Sequence, residues 1–182
     1  MAGTELIRDF VNTRDLLDDG EAFTTPGALA EWCASQGLTE GPVEASAADL
    51  RHAIELREAL RQLLLANTGL EVEAVPAFAV LDRVARRARV GLSFEERAGR
   101  LVPAATGMRA VLGRIVIGVH GAIADGSWER LKACRASDCK WAFIDHAKNH
   151  SRAWCSMRAC GNREKARAFR ERQREAGTSS SR

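Results

Sequence analysis

Four cysteines constrain this 182-residue chain more than any other feature: Cys134, Cys139, Cys155 and Cys160, in the spacing C-x4-C-x15-C-x4-C. Two close pairs, each able to grip one side of an ion and joined by a hairpin-sized insert, suit a tetrahedral four-thiolate zinc site. Soft thiolates select zinc, and four of them leave no position for a substrate water, so one structural zinc ion is expected. Disulfides are the other use of paired cysteines. The opening residues MAGTELIRDFVNTRD argue against them, because charges fall within the first nine residues and no apolar signal segment follows. A reducing, cytoplasmic setting is therefore expected, where a tight cysteine cluster binds metal. Cys33, alone in LAEWCASQGL, reads as a small buried hydrophobe.

The net charge of +3 conceals a division. Residues 129–182 hold 14 Lys/Arg against 6 Asp/Glu, for +8, whereas residues 1–128 hold 13 against 18, for −5. A basic segment beside an acidic body suggests a polyanionic partner for the basic one. With 46% hydrophobic and 28% charged residues the composition is that of a globular protein, and no apolar run of about 18 residues is expected to span a membrane. No phosphate-binding loop, nucleophile elbow, catalytic carboxylate pair or open metal site is legible, so no enzymatic activity is expected.

Residues 1–128 read as mainly helical. Thr25 and Pro26 open a helix that Gly37 stops. Ser46 and Asp49 form a capping box for a long helix reaching Asn67-Thr68-Gly69, with Ala53, Leu56, Leu60, Leu63 and Leu64 along one buried face. Another helix is expected from Ala77 to Arg87. Val90, Leu92 and Phe94 alternate, Ala98-Gly99 can turn, and Leu101-Val102 return, which predicts a hairpin. Thr106 then caps the most apolar helix, whose stripe of Met108, Leu112, Ile115, Val116, Val119 and Ile123 faces the core before Gly126 ends it.

In the insert WAFIDHAKNHSRAW, Trp141, Phe143 and Ile144 precede a polar turn at Lys148-Asn149 and Trp154 returns, so a second hairpin is expected inside it. His146 and His150 flank its tip and read as surface residues. GNREKARAFRERQREAG after Cys160 predicts a helix ending at Gly177, with a disordered tail over 177–182. On that helix Arg163, Arg167, Arg170 and Arg174 form one stripe, while Ala166 and Phe169 form a short apolar face that can pack on the finger. Guanidinium groups in a row match phosphates and guanine edges, so these four, with Lys148 and Arg152, are the expected nucleic-acid contacts. Pairing with Glu164 and Glu171 is the competing use of the same arginines.

The string CRASDCKWAFIDHAKNHSRAWCSMRACGNREKARAFRER resembles the CGNR zinc finger, named for Cys160-Gly161-Asn162-Arg163. Upstream, DFVNTRDLL and TPGALAEWCASQGL resemble the companion ABATE domain of the same bacterial family. The resemblance implies a transcription regulator whose finger binds duplex DNA, with RNA or protein as the alternative partner. Ala147 and Ala153 stand where that family carries a serine and an arginine, which removes one phosphate contact. The expected architecture is mainly α with a small β-hairpin: a helical N-terminal domain over 1–128, then a treble-clef-like zinc finger over 129–176. The N-terminal domain is expected to sense a small molecule or a protein effector. Asn12 and Arg14 in DFVNTRD, with Trp32, are the candidate ligand-binding residues; Asn12 or Thr13 capping a helix start is the competing reading. A homodimer would suit palindromic DNA, although no heptad seam marks one.

Overall fold

The capping box at Ser46 starts the element on which the fold is built. In the computed structural model, which describes residues 3–95 and 98–179, Ser46 Oγ accepts from the Asp49 amide at 3.1 Å and the Asp49 carboxylate accepts from the Ser46 amide at 2.9 Å. Helix α3 (Ala47–Asn67) follows, with α1 (Gly3–Val11) and α2 (Pro26–Ser35) before it and α4 (Ala74–Ala88) and α5 (Gly107–Ala124) after it. At 21 residues α3 runs about 31 Å, and its stripe from Ala53 to Leu64 is buried as its spacing predicts. The other four helices all pack on it.

Strand β1 (Arg14–Asp15) pairs with β2 (Gly20–Glu21), and β3 (Val90–Glu95) with β4 (Ala98–Pro103). The β3–β4 hairpin forms as expected, but Ala98 and Gly99 are paired in β4 with Glu95 and Phe94 rather than turning. The connecting residues 96 and 97 lie outside the described residues.

Helix α5 buries Met108, Val111, Leu112, Ile115, Val119 and Ala122. Ile123 is 52% exposed, because it lies one position off that stripe at the helix end. A Cβ on Gly113 would collide with Ala88 Cβ, so this glycine sets the close approach of α5 to α4. Contrary to expectation, α5 is long and apolar enough to cross a membrane by length and composition. Its apolar residues are instead used against α1 and α4, as in the core helix of a globular protein.

After a short turn at Trp128–Arg130, β5 (Leu131–Ala133) pairs antiparallel with β6 (Ala142–Ile144), in the register Leu131↔Ile144. The hairpin expected inside the insert is therefore not the one that forms: Phe143 and Ile144 pair backwards with Lys132 and Leu131. Packing decides this, since Leu131, Ala133 and Ala142 are buried against the helices and complete the same core as α1–α5. The last described element is α6 (Asn162–Ser179), which runs past Gly177, where the sequence predicts a helix end and a disordered tail. Among the described residues the fold is mainly helical with three small strand pairs, and the four cysteines cluster ahead of α6.

Candidate metal centre

Cys134 and Cys139 sit on the tip of the β5–β6 hairpin. The Cys134 amide donates to Trp141 O at 2.9 Å and the Cys139 amide to Ala136 O at 3.1 Å, which folds the four intervening residues into a knuckle. Lys140 leaves the knuckle in the left-handed region, with φ 51°. The second pair comes from the entry to α6. Ser156 Oγ accepts from the Ala159 amide at 3.2 Å and starts a wide turn, Met157–Gly161, that carries Cys160. A Cβ on Gly161 would displace the thioether of exposed Met157 and press on Trp154.

The four Sγ atoms lie within 4.8 Å of one another, with Cys139–Cys155 at 3.7 Å and Cys155–Cys160 at 3.6 Å. Thiolates at about 2.3 Å from one zinc ion would be separated by about 3.8 Å along each tetrahedral edge. The sulfur cluster thus has the size of a closed four-thiolate site. The four sulfurs are also electrostatically coupled. Cys134 is lowered to about 5 because the Cys139 thiol donates to it, and that donation together with burial pushes Cys139 up. Burial and the neighbouring Cys134 charge push Cys155 up to about 12. A divalent ion would make four neighbouring thiolates compatible. Zinc held by Cys134, Cys139, Cys155 and Cys160 would bind the hairpin tip to the start of α6. His146 is exposed and His150 lies on the 145–152 loop, so the cluster is made of cysteines only.

Helix α6 is rotated from the orientation its apolar residues predict. Ala166 is exposed and Phe169 is 56% exposed, so neither is buried on the finger. Arg163 does: its Nη2 donates to Asp138 Oδ1 at 3.0 Å and lies 3.6 Å from Cys160 Sγ. Arg167 Nη1 donates to Ser137 Oγ and to Glu164 Oε1, both at 3.0 Å. Polar residues of the knuckle, Ser137 and Asp138, give the arginine face a better seat than they would give an aromatic ring. Arg152 folds back as well, donating to Cys155 O at 2.8 Å with its guanidinium 5.0 Å over the Phe143 ring. Lys148, Arg170 and Arg174 stay exposed, and Lys165 and Arg172 join them.

Two family models match this chain: ABATE, described as "Putative stress-induced transcription regulator", over residues 5–136, and the CGNR zinc finger over residues 130–173. The chain belongs to the ABATE family. No curated protein matches it. The two matches overlap at 130–136, which is β5 and the first part of the knuckle, where the ABATE core and the CGNR finger share their packing.

Within the ABATE part, Asn12 and Trp32 serve the fold. Asn12 Nδ2 donates to Ala142 O at 3.0 Å and its Oδ1 accepts from the Ala142 amide at 2.7 Å, which joins the end of α1 to the CGNR strand β6. Helix α1 ends at Val11, so the DFVNTRD segment is a helix end and not the capped start considered from the sequence. Trp32 packs in a cluster with Phe10 and Phe23, at centroid separations of 5.5 and 5.6 Å. Arg14 pairs with Asp19 at 2.5 Å across the β1–β2 turn. The three residues are thus engaged with protein and are not gathered around a ligand pocket. Replacing Asn12 with alanine is expected to cost about 1–3 kcal/mol, because the Ala142 amide and carbonyl lose their partner. Denaturant unfolding of the zinc-loaded protein measures this, and an unchanged midpoint would refute the joint.

Sequence reasoning missed the buried charges. Arg61, 1% exposed, donates to Val11 O at 2.8 Å and to Lys140 O at 3.0 Å, so α3 holds the backbone leaving the knuckle. Lys132 and Asp145, 4% and 0% exposed, pair at 2.9 Å beneath the 145–152 loop. The Asp145 carboxylate also accepts from the Ala147 and Arg152 amides at 2.9 and 3.0 Å, and Lys132 donates to His150 O. The only available signal was a lysine flanked by Leu131 and Ala133 in a strand too short to show alternation.

Proposed function

We propose that this ABATE-family protein is a cytoplasmic transcription regulator that binds duplex DNA through α6 of its zinc finger. The observation that supports the reading is the outer part of α6, where every side chain from Phe169 to Arg174 is exposed. Arg170, Arg172 and Arg174 stand on this segment with the acid Glu171, and Lys165 one turn earlier and Lys148 on the insert loop are exposed as well. A helix about 10–12 Å across fits a major groove about 12 Å wide. The −5 body and +8 tail favour an approach in which the finger leads. Arg163 and Arg167 position the helix on the knuckle, so phosphate and base contacts fall to Lys148, Lys165, Arg170 and Arg172. No catalysis is assigned, since four thiolates leave a bound zinc no open position.

The test is a salt series of duplex binding by fluorescence anisotropy. Lys165/Arg170/Arg172→Ala in the zinc-loaded protein should flatten the plot of log affinity against log salt by about 0.9 for each phosphate-binding side chain removed. Equal slopes for the two proteins would refute the interface. Tighter binding to single-stranded RNA than to duplex DNA would replace DNA by RNA as the partner.

A further inference from the structure

A cavity of about 290 Å³ opens between the start of α3, the last turn of α4 and the start of α5. Its floor is apolar: Val84, Met108 and Leu112 are all buried, and Met108 Sδ lies 4.0 Å from Cys33 Sγ of α2. Its rim is cationic. Arg87 and Arg109 line the mouth beside His52, and the adjoining recess shares Arg87, Arg109 and Thr106 and adds Arg89. Asp49 is the one acid lining these two spaces, and its carboxylate is already engaged by Ser46 in the capping box.

The rim groups are arranged by the backbone. Arg89 ends α4 in the left-handed region, with φ 51°, and donates to Ala104 O at 2.8 Å, which holds its charge beside the recess. Arg87 lies against His52 Nε2. Burial and the Arg87 charge hold His52 below its ordinary range. Thr106 is the N-cap of α5 but makes no side-chain cap bond, so the positive end of an 18-residue helix adds to the field at the recess.

Two guanidinium groups, Arg87 and Arg109, thus stand at the mouth of an apolar floor, with Arg89 in the recess beside them. We propose that this cavity binds a small organic acid, its carboxylate on Arg87 and Arg109 and its apolar body on Val84, Met108 and Leu112. Guanidinium groups take carboxylates in a bidentate, charge-assisted geometry, and buried apolar floor supplies the remaining affinity. The volume lies at the low end for ligand sites and suits a single-ring or branched short-chain acid. The site does not depend on the DNA reading, but α3 connects it to the finger. Helix α3 borders the cavity at its N-terminal end, and at the other end Asn67 and Thr68 hold Leu131 O and Ala133 O of the finger strand at 2.9 and 2.7 Å.

The test uses the full zinc-loaded chain, with isothermal titration of benzoate, phenylacetate and 4-methylpentanoate, their primary amides and inorganic phosphate. At least one acid should bind with Kd below about 1 mM, and its amide at least about tenfold more weakly. Arg87→Gln/Arg109→Gln should weaken that acid by about tenfold or more. Arg83→Gln, on the exposed face of α4, should leave it unchanged. Both variants alter exposed side chains, and an unaltered melting temperature will show that each is folded. No acid binding below about 1 mM, amides binding as well as acids, or a double variant binding like wild type would each overturn the proposal. Phosphate binding as tightly as the acids would also overturn it, since the apolar floor would then contribute nothing.

Discussion

Chelating the metal is expected to unfold the chain from the knuckle through α6 while leaving α1–α5 folded. The asymmetry follows from where apolar area is buried. Leu131, Ala133 and Ala142 rest on the large helical core, so β5 and β6 keep their packing without zinc. Beyond them the one buried apolar cluster among the described residues is Cys134, Ala136, Cys139 and Cys160, with Trp141, Trp154 and Cys155 partly buried around it. It contains no aliphatic side chain larger than alanine. Ordering backbone costs about 1–2 kcal/mol per residue, which so small a cluster cannot offset. A structural zinc site contributes about 10–16 kcal/mol and can. Chelation should therefore remove the near-ultraviolet signals of Trp141 and Trp154, with the far-ultraviolet helix signal falling only by the share of α6. Any one of the four cysteines replaced by serine should act in the same direction. Zinc affinity should fall as the pH is lowered, because every ligand must be a thiolate. Native protein without metal by elemental analysis, or protected Cys139 and Cys160 amides after chelation, would refute the centre.

The parts of this fold that were legible in the sequence are those fixed by local spacing. Cysteine intervals name the ligands because a knuckle is a few residues long, and Ser46 with Asp49 names the start of α3 because a capping box spans one turn. What was not legible depends on partners distant in the chain. Phe143 and Ile144 alternate toward Trp154 as a hairpin would, yet pair with Leu131 and Lys132, because that arrangement buries Leu131 and Ala142 against the helices. Phe169 is the obvious residue of α6 to bury, but α6 lies on a polar knuckle and not on an apolar surface. Arg163 and Arg167 therefore take the inner face and meet Asp138 and Ser137. Asn12 resembles a cap or a ligand contact by itself. Only the fold brings it to Ala142, across 130 positions of sequence. The ligand cavity likewise gathers residues from three separate helices, none of which forms a motif alone.

Asp145→Ala is expected to destabilise the finger by about 3 kcal/mol, because it strands a buried ammonium. Lys132 is 6% exposed at its side chain and would retain only the carbonyls of His150 and Arg152. The Ala147 and Arg152 amides would lose their acceptor at the same time, which loosens the loop leading to Cys155. Replacing both charges, as Lys132→Met/Asp145→Asn, should recover part of the loss, since the asparagine still accepts from the amides and no unpaired charge remains. The pH dependence discriminates further. Burial by itself would push the Asp145 carboxyl up, but the Lys132 ammonium and the two amides outweigh it and hold the group below its ordinary value of 3.8. A carboxyl lowered on folding contributes fully above its unfolded value and loses that contribution as pH falls through the folded one. The stability difference between wild type and Asp145→Ala should therefore stay level from neutral pH down to about 5, within the range where zinc is retained. A difference that shrinks across that interval would mean that burial dominates and the carboxyl is raised. A difference below about 1 kcal/mol at neutral pH would mean that the pair behaves as a solvated surface ion pair, and that the 145–152 loop is held by its backbone contacts.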